Sequence, residues 1–305
     1  MNFAQVLINS LITASELGII AVGLTLTFSL LKFANFAHVE TAVAGAYLAW
    51  VLNVQLGVSF GLAMVAAVLV MGLGGILIDR LVFRVFRKSD DVGPMIASLG
   101  LAIAIRYSVQ AIFGPRFLRF TFGIAPGMKV MGAFITRQQV WILAIVIAAI
   151  LAFHILLQYT RIGKAMRATS TNAELAQASG VDTEGVIAWV WFLGTAFAAL
   201  GGTLVAWDTQ LVPDLGFNLV IPIFCVVLIG GVGSVYGALL GALVVGFALN
   251  FGVSLNLGAV VNWVSGHDIV GNLRIPADYK PAIVYATVVL ILLLRPSGLM
   301  RRELA

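Results

Sequence analysis

Long apolar runs separated by short polar breaks set the pattern of this chain from one end to the other. A helix needs about 20 predominantly apolar residues to cross a bilayer. On that measure, spans are predicted near residues 5–31, 39–55, 58–78, 93–113, 139–157, 185–205, 235–255 and 281–295. The stretch 217–229 is apolar but short, with Pro222 in its middle, and reads either as a ninth span or as a broken, partly re-entrant one. The expected fold is therefore all-α and polytopic, with eight to nine transmembrane helices in one membrane domain covering 1–305. Residues 36–47 and 230–242 echo each other weakly. Each places small residues and an aromatic after a polar break and then opens a long helix, as an internal inverted repeat does.

Composition agrees with the pattern. The chain is 61% hydrophobic and only 10% charged, against about 25% charged in soluble domains. The net charge of +5 does not point to nucleic acid, because the cations sit in short loops between apolar spans. There they set membrane orientation. Loop 79–92 carries Arg80, Arg84, Arg87 and Lys88, loop 158–184 carries Arg161, Lys164 and Arg167, and the C-terminus carries Arg295, Arg301 and Arg302. These belong in the cytoplasm, which with nine crossings puts the N-terminus outside; loop 114–138, with Arg116, Arg119, Lys129 and Arg137, is the dissonant one. No Lys or Arg precedes Lys32, so the chain lacks the basic start of a cleaved signal peptide, and none is expected. Cys225 is the sole cysteine, which excludes an internal disulfide or thiolate metal site.

Few segments carry chemistry. In the first span Asn9, Thr13, Glu16, Gly23 and Thr27 fall roughly along one helical face. Glu16 is either a pathway or packing carboxyl or lies near enough to the outer surface for water to reach it, since an ionisable residue within a span marks a functional site by default. Arg106 in the fourth span is expected to snorkel to the outer surface. Asn35 and His38 are expected to cap the second span, with Glu40 in its first turn favoured by the helix dipole; the same break is a candidate edge of a translocation path. His38 and Glu40 diverge on a helix, and His154 and His267 lie in unrelated segments, so no metal site is expected. No nucleophile, base and orienter occur together, so catalytic residues are not expected either. The Gly-rich stretch 229–242 lacks the Lys of a phosphate loop. Its Gly237 and Gly241 make a small-xxx-small pair suited to close helix packing. In the loop 161–182, Thr171 and Glu174 fit a capping box, Asn172–Ser179 suit a short helix and Gly180 suits its end. That helix either connects two spans or fits a cleft on another protein.

Several of these stretches together resemble a known family. NFAH-x-E followed by GAY, the loop R-x-GKA-x-RA-x4-N-x6-ASGVD, GGVGS-x2-GALLGA and the ending RPSGL are similar to the H-type permease of bacterial ABC importers for branched-chain amino acids, the high-affinity leucine/isoleucine/valine type. The resemblance covers about residues 10–300; permeases for urea and short-chain amides are close relatives. It implies a multi-pass subunit of the bacterial inner (plasma) membrane. Such a subunit pairs with a second, homologous permease, rests on two cytoplasmic ATPase subunits that hold the ATP and Mg, and receives its amino-acid substrate from a periplasmic binding protein. Arg161, Gly163, Lys164, Arg167, Asn172, Glu174, Ala176 and Gly180 would then form the coupling helix and its flanks. The chain departs from the family at Val39, where relatives place Gly; a β-branched residue resists positive φ and stiffens the break. The rival classes are an ion-gradient carrier using Glu16 or Glu40 and a passive channel for a small solute such as urea.

Overall fold

The computed structural model describes residues 3–88, 92–120, 127–130, 132–254, 276 and 279–300. In chain order the elements are α1 (Phe3–Leu31), α2 (Ala37–Trp50), α3 (Phe60–Ile78), α4 (Val92–Phe113), β1 (Gly127–Val130), β2 (Ala133–Thr136), α5 (Arg137–Tyr159), α6 (Arg161–Thr171), α7 (Ala173–Ala178), α8 (Thr183–Asp208), α9 (Leu215–Gly230), α10 (Val235–Ser254) and α11 (Lys280–Leu294). α2 continues through a π-helical turn, Val51–Gln55, and α3 through Asp79–Phe83 and Arg84–Lys88.

Six helices are long and apolar enough to cross a membrane by length and composition: α1, α3 with its extension, α4, α5, α8 and α10. α9 and α11 are shorter apolar helices, and α2 with its π-helical turn covers 37–55. Every predicted span thus corresponds to a helix, with residue 255 and His267 outside the described residues. α9 is one continuous helix with Pro222 inside it, so the broken reading of 217–229 is overturned. Pro removes one intrahelical N–H, and the other turns of this apolar helix remain packed on α10 and α1. Among the described residues the fold departs from purely helical only in loop 114–138, where β1 and β2 pair antiparallel with Gly127 opposite Thr136.

α1 and α8 form the core. Their most apolar windows are 78% and 67% buried, against 11% for α4 and 22% for α5. A helix that is apolar on all sides belongs inside, and small residues let the neighbours close in. A Cβ on Gly23 would stand 2.6 Å from Gly194 O, and one on Gly45 would stand 2.5 Å from Ala199 Cβ. α2 packs along α8 and α10 along α1, so the helix after each of the two echoing breaks rests on the core helix of the other half. The outward faces of α3, α4 and α5 expose Leu69, Leu73, Ile103, Ile147 and Leu151, as surfaces facing lipid or another apolar chain do.

The two ends of the bundle differ. At one, Gln5 of α1 bonds Phe134 of the hairpin, and Leu118 bridges Leu211. At the other, Arg87 reaches Glu184, Lys32 Nζ lies 3.4 Å from Ser170 O, and Leu299 and Met300 donate to Ile229 O and Gly230 O. The loops carrying Arg80, Arg84 and Arg87 and the α6–α7 segment meet at this second, basic end.

Candidate functional site

Chain reversal after α1 creates the first notable feature. Lys32 takes φ 62°, the one non-glycine with positive φ among the described residues, and the non-helical residues 32–36 lead back between the helices. Ser98 Oγ of α4 accepts from Phe36 N at 3.1 Å, and the Phe36 ring stacks on Phe224 at 4.8 Å. Asn35 Oδ1 accepts from Ala37 N at 3.1 Å, so Asn35 does serve the start of α2, from the position before the N-cap residue Phe36.

His38 does not. It is fully buried, and its Nε2 lies 3.1 Å from Ile20 O. A carbonyl only accepts, so Nε2 carries the proton. Ile20 precedes the end of α1 by eleven residues, which places the start of α2 about 16 Å inside the bundle at 1.5 Å per residue. The ring rests on Gly23, where a Cβ would stand 3.0 Å from it. Its role is a wedge between α1 and α2. Val39, 0% exposed, is already helical and packed in the core. The stiff residue therefore costs the break nothing, because the left-handed turn is at Lys32.

Glu40 is 1% exposed, and Arg106 meets its Oε1 through Nη2 at 2.7 Å and Nε at 3.1 Å. The guanidinium carbon also lies 4.6 Å from the centre of the Phe217 ring. The expected snorkelling of Arg106 is overturned. Its partner is a carboxylate carried inward by the same early start of α2, and a charge inside a bundle pairs when a counter-charge is within reach. Glu40 likewise does more than meet a helix dipole: it joins α2 to α4, beside Gly216, where a Cβ would stand 2.5 Å from Glu40 Oε2.

Glu16 belongs to a separate place. It is 7% exposed and lines a cavity of about 430 Å³ among α1, α5, α8, α9 and α10, with Asn9, Thr13, Gln139, Asp208 and Asn250 as further polar lining. None of Asn35, His38 and Glu40 lines it. The polar face predicted for α1 divides accordingly. Asn9, Thr13 and Glu16 face the cavity, while Gly23 and Thr27 pack on Gly194 of α8. Sequence reasoning missed Asp208, Gln139 and Asn250; an acid in the last turn of a span and an amide late in another were the available signals.

At the basic end two helices replace the single one expected in 161–182. Thr171 ends α6 with its hydroxyl donating to Arg167 O at 3.0 Å, and the cap of α7 is Asn172, whose Oδ1 accepts from Leu175 N at 2.9 Å. The Thr171/Glu174 capping box is thus replaced by a cap one residue later, since Asn competes well for that position. Gly180 ends α7 at φ +85°. Gly163 and Arg167 hold α6 on the end of α5: Thr160 Oγ1 accepts from Gly163 N, and Arg167 donates to Leu157 O. Arg161, Lys164, Asn172, Glu174 and Leu175 are exposed, and Ala176 is buried. Beside this segment Arg87 bridges Asp79 and Glu184. Gly237 and Gly241 face the backbone of Gly230 and Val226 on α9, a packing role.

A bundle of apolar helices with buried ion pairs and an exposed helical hairpin at its basic end is the architecture of a membrane permease. The chain belongs to the family described as the branched-chain amino acid transport system / permease component, whose model matches residues 6–292. It is 27% identical over 317 residues to the high-affinity branched-chain amino acid transport system permease protein LivH of Escherichia coli, covering 99% of this chain and 96% of that protein. It is 28% identical over 320 residues to BraD of Pseudomonas aeruginosa, with the same coverage. A probable branched-chain amino acid transport permease of Methanocaldococcus jannaschii is 27% identical over 259 residues, 80% of this chain and 79% of that one.

Proposed function

We propose that this chain is the membrane-spanning subunit of an ATP-driven importer in the inner (plasma) membrane that passes leucine, isoleucine and valine delivered by a periplasmic binding protein. The observation that carries this reading is the family match over almost the whole chain, with relatives named for branched-chain amino-acid transport. The subunit carries out no covalent chemistry. ATP and Mg bind two cytoplasmic ATPase subunits, and a second, homologous permease completes the membrane part.

The geometry of the basic end supports the way coupling would work. α6 is fastened to α5 through Thr160, Gly163 and Arg167, and α7 leads through Gly180 and the Asp182 cap directly into α8, the core helix. A push on the exposed surface around Leu175 therefore reaches α8 at its first turn. Through Glu184, Arg87 and Asp79 it also reaches α3. Helices are stiff, so a displacement at one end travels along them. The Glu40–Arg106 pair keeps α2 and α4 moving together.

The test is reconstitution of both permeases with the ATPases and binding protein in liposomes, followed by leucine uptake. Uptake that needs ATP inside and ceases without the ATPases supports the reading. Uptake that persists without them, or that an uncoupler abolishes at constant ATP, overturns it in favour of a channel or an ion-driven carrier.

A further inference from the structure

The cavity around Glu16 has a distinct polarity. What it offers a ligand follows from which polar atoms its wall already uses. Asn250 donates to Thr13 Oγ1 at 3.1 Å and to Gly246 O at 2.9 Å, so both N–H bonds of its amide are taken. Gln139 accepts from Thr136 N at 3.1 Å and hydrogen-bonds the Asp208 carboxyl. Apart from the Asn9 amide N–H bonds at the mouth and the Thr13 hydroxyl, the groups left facing the space, Glu16 and Asp208, are acceptors. Glu16 Oε1 is buried and has no hydrogen-bond partner among the described residues, and Asp208 is its electrostatic neighbour. Much of the remaining wall is hydrocarbon, from Leu17, Val205, Leu219, Pro222 and Leu249. A buried acceptor without a donor is costly to keep unless something supplies one.

An ammonium group has three donors and no acceptor, and its bonds to carboxylates are charge-assisted. The volume of about 430 Å³ falls in the range of roughly 300–1,000 Å³ typical of small-molecule sites. We propose that this cavity is a binding site for the α-ammonium group of an apolar amino acid, held by Glu16 and Asp208 with the hydrocarbon side chain against Leu219 and Leu249. At the mouth, the exposed Asn9 has its Oδ1 taken by Gln5 at 3.0 Å, which leaves its N–H donors for the carboxylate end of the zwitterion. The assignment rests on the transport reading for the identity of the amine. A free inorganic cation satisfies the same acceptors and is the other source of this chemistry.

The experiment uses the assembled importer in nanodiscs, without binding protein or nucleotide, and measures equilibrium binding of radiolabelled isopentylamine, which carries an ammonium group on the branched chain of leucine. Saturable binding is expected. It should be at least tenfold weaker in Glu16→Gln and in Asp208→Asn, both near-isosteric, with intact assembly of each variant checked by gel filtration. 4-Methylpentanoate, the same chain with a carboxylate and no amine, should not compete. Sodium or ammonium chloride at matched ionic strength should not displace the probe. Displacement by either salt at low millimolar concentration reassigns the site to a free cation. Absent binding, or binding unchanged in Glu16→Gln, overturns the site altogether. Leucine uptake by the wild-type importer is read separately. Normal uptake with no amine binding sinks the site and leaves the transport reading, while Glu16-dependent amine binding without leucine uptake sinks the transport reading and leaves the site.

Discussion

Splitting the Glu40–Arg106 pair should be far more damaging than removing both partners. Two unit charges about 4 Å apart attract by about 4 kcal/mol at an effective dielectric constant of 20, and removing one partner of a buried pair typically costs about 3–5 kcal/mol because the other is stranded. The two losses are unequal here. Glu40 is 1% exposed and has Asp214 as a like-charged neighbour, whereas the Arg106 side chain is 19% exposed and lies over Phe217. Arg106→Met therefore strands the more deeply buried charge and should cost roughly 3–5 kcal/mol. Glu40→Gln keeps a hydrogen-bond acceptor for the guanidinium and should cost about 1–3 kcal/mol. Replacing both by Met removes the desolvation cost of the pair along with its attraction and should stay within about 1 kcal/mol of wild type. The assay is unfolding of the purified permease by SDS titration in mixed micelles, read by far-UV circular dichroism as a double-mutant cycle in which Glu40→Met is the second single variant. A coupling energy below about 0.5 kcal/mol, the usual additivity error, or a Glu40→Gln variant weaker than Arg106→Met, would refute this account of the joint.

Gly216→Ala puts a methyl group onto Glu40 Oε2, so leucine uptake should fall several-fold while membrane insertion, followed by immunoblot, is retained. Gly23→Ala crowds Gly194 O and the His38 ring and should destabilise the fold by about 1–3 kcal/mol, seen as a lower SDS midpoint; an unchanged midpoint would refute the close α1–α8 crossing at Gly23. Asn172→Ala removes the cap of α7 at about 1 kcal/mol. It should lower ATP-driven uptake and cross-linking of Leu175→Cys to the ATPases in parallel, and loss of one without the other would separate α7 from coupling. Arg87→Ala leaves the buried Asp79 without its cation and should be clearly destabilising. Glu184→Gln, at a side chain 61% exposed, should change stability by no more than about 1 kcal/mol; equal effects would contradict the burial difference between the two acids.

Each apolar run became a helix because a bilayer-length stretch of such residues has no other way to satisfy its backbone, and runs of that kind are visible without any tertiary information. The same holds for the end of α7 at Gly180, where the positive φ suits glycine, and for Gly237 and Gly241, whose spacing alone shows a packing face. Asn35 was also legible, since capping is a local property of a few neighbouring residues. What depends on contacts distant in sequence was not. Arg106 looked like a residue near a membrane surface, because nothing local reveals that residues 32–36 turn back into the bundle and deliver Glu40 to it, 66 positions away. His38 read as a cap and is a wedge for the same reason. Glu16 was conspicuous as a carboxyl within a span, yet its companions Asp208 and Asn250 come from the far ends of α8 and α10, and only the packing of those helices around α1 makes one cavity of them. Secondary structure here follows from the solvent the chain must cross, whereas the pairing of its few polar groups follows from where the helices begin, a depth that hydrophobicity alone does not encode.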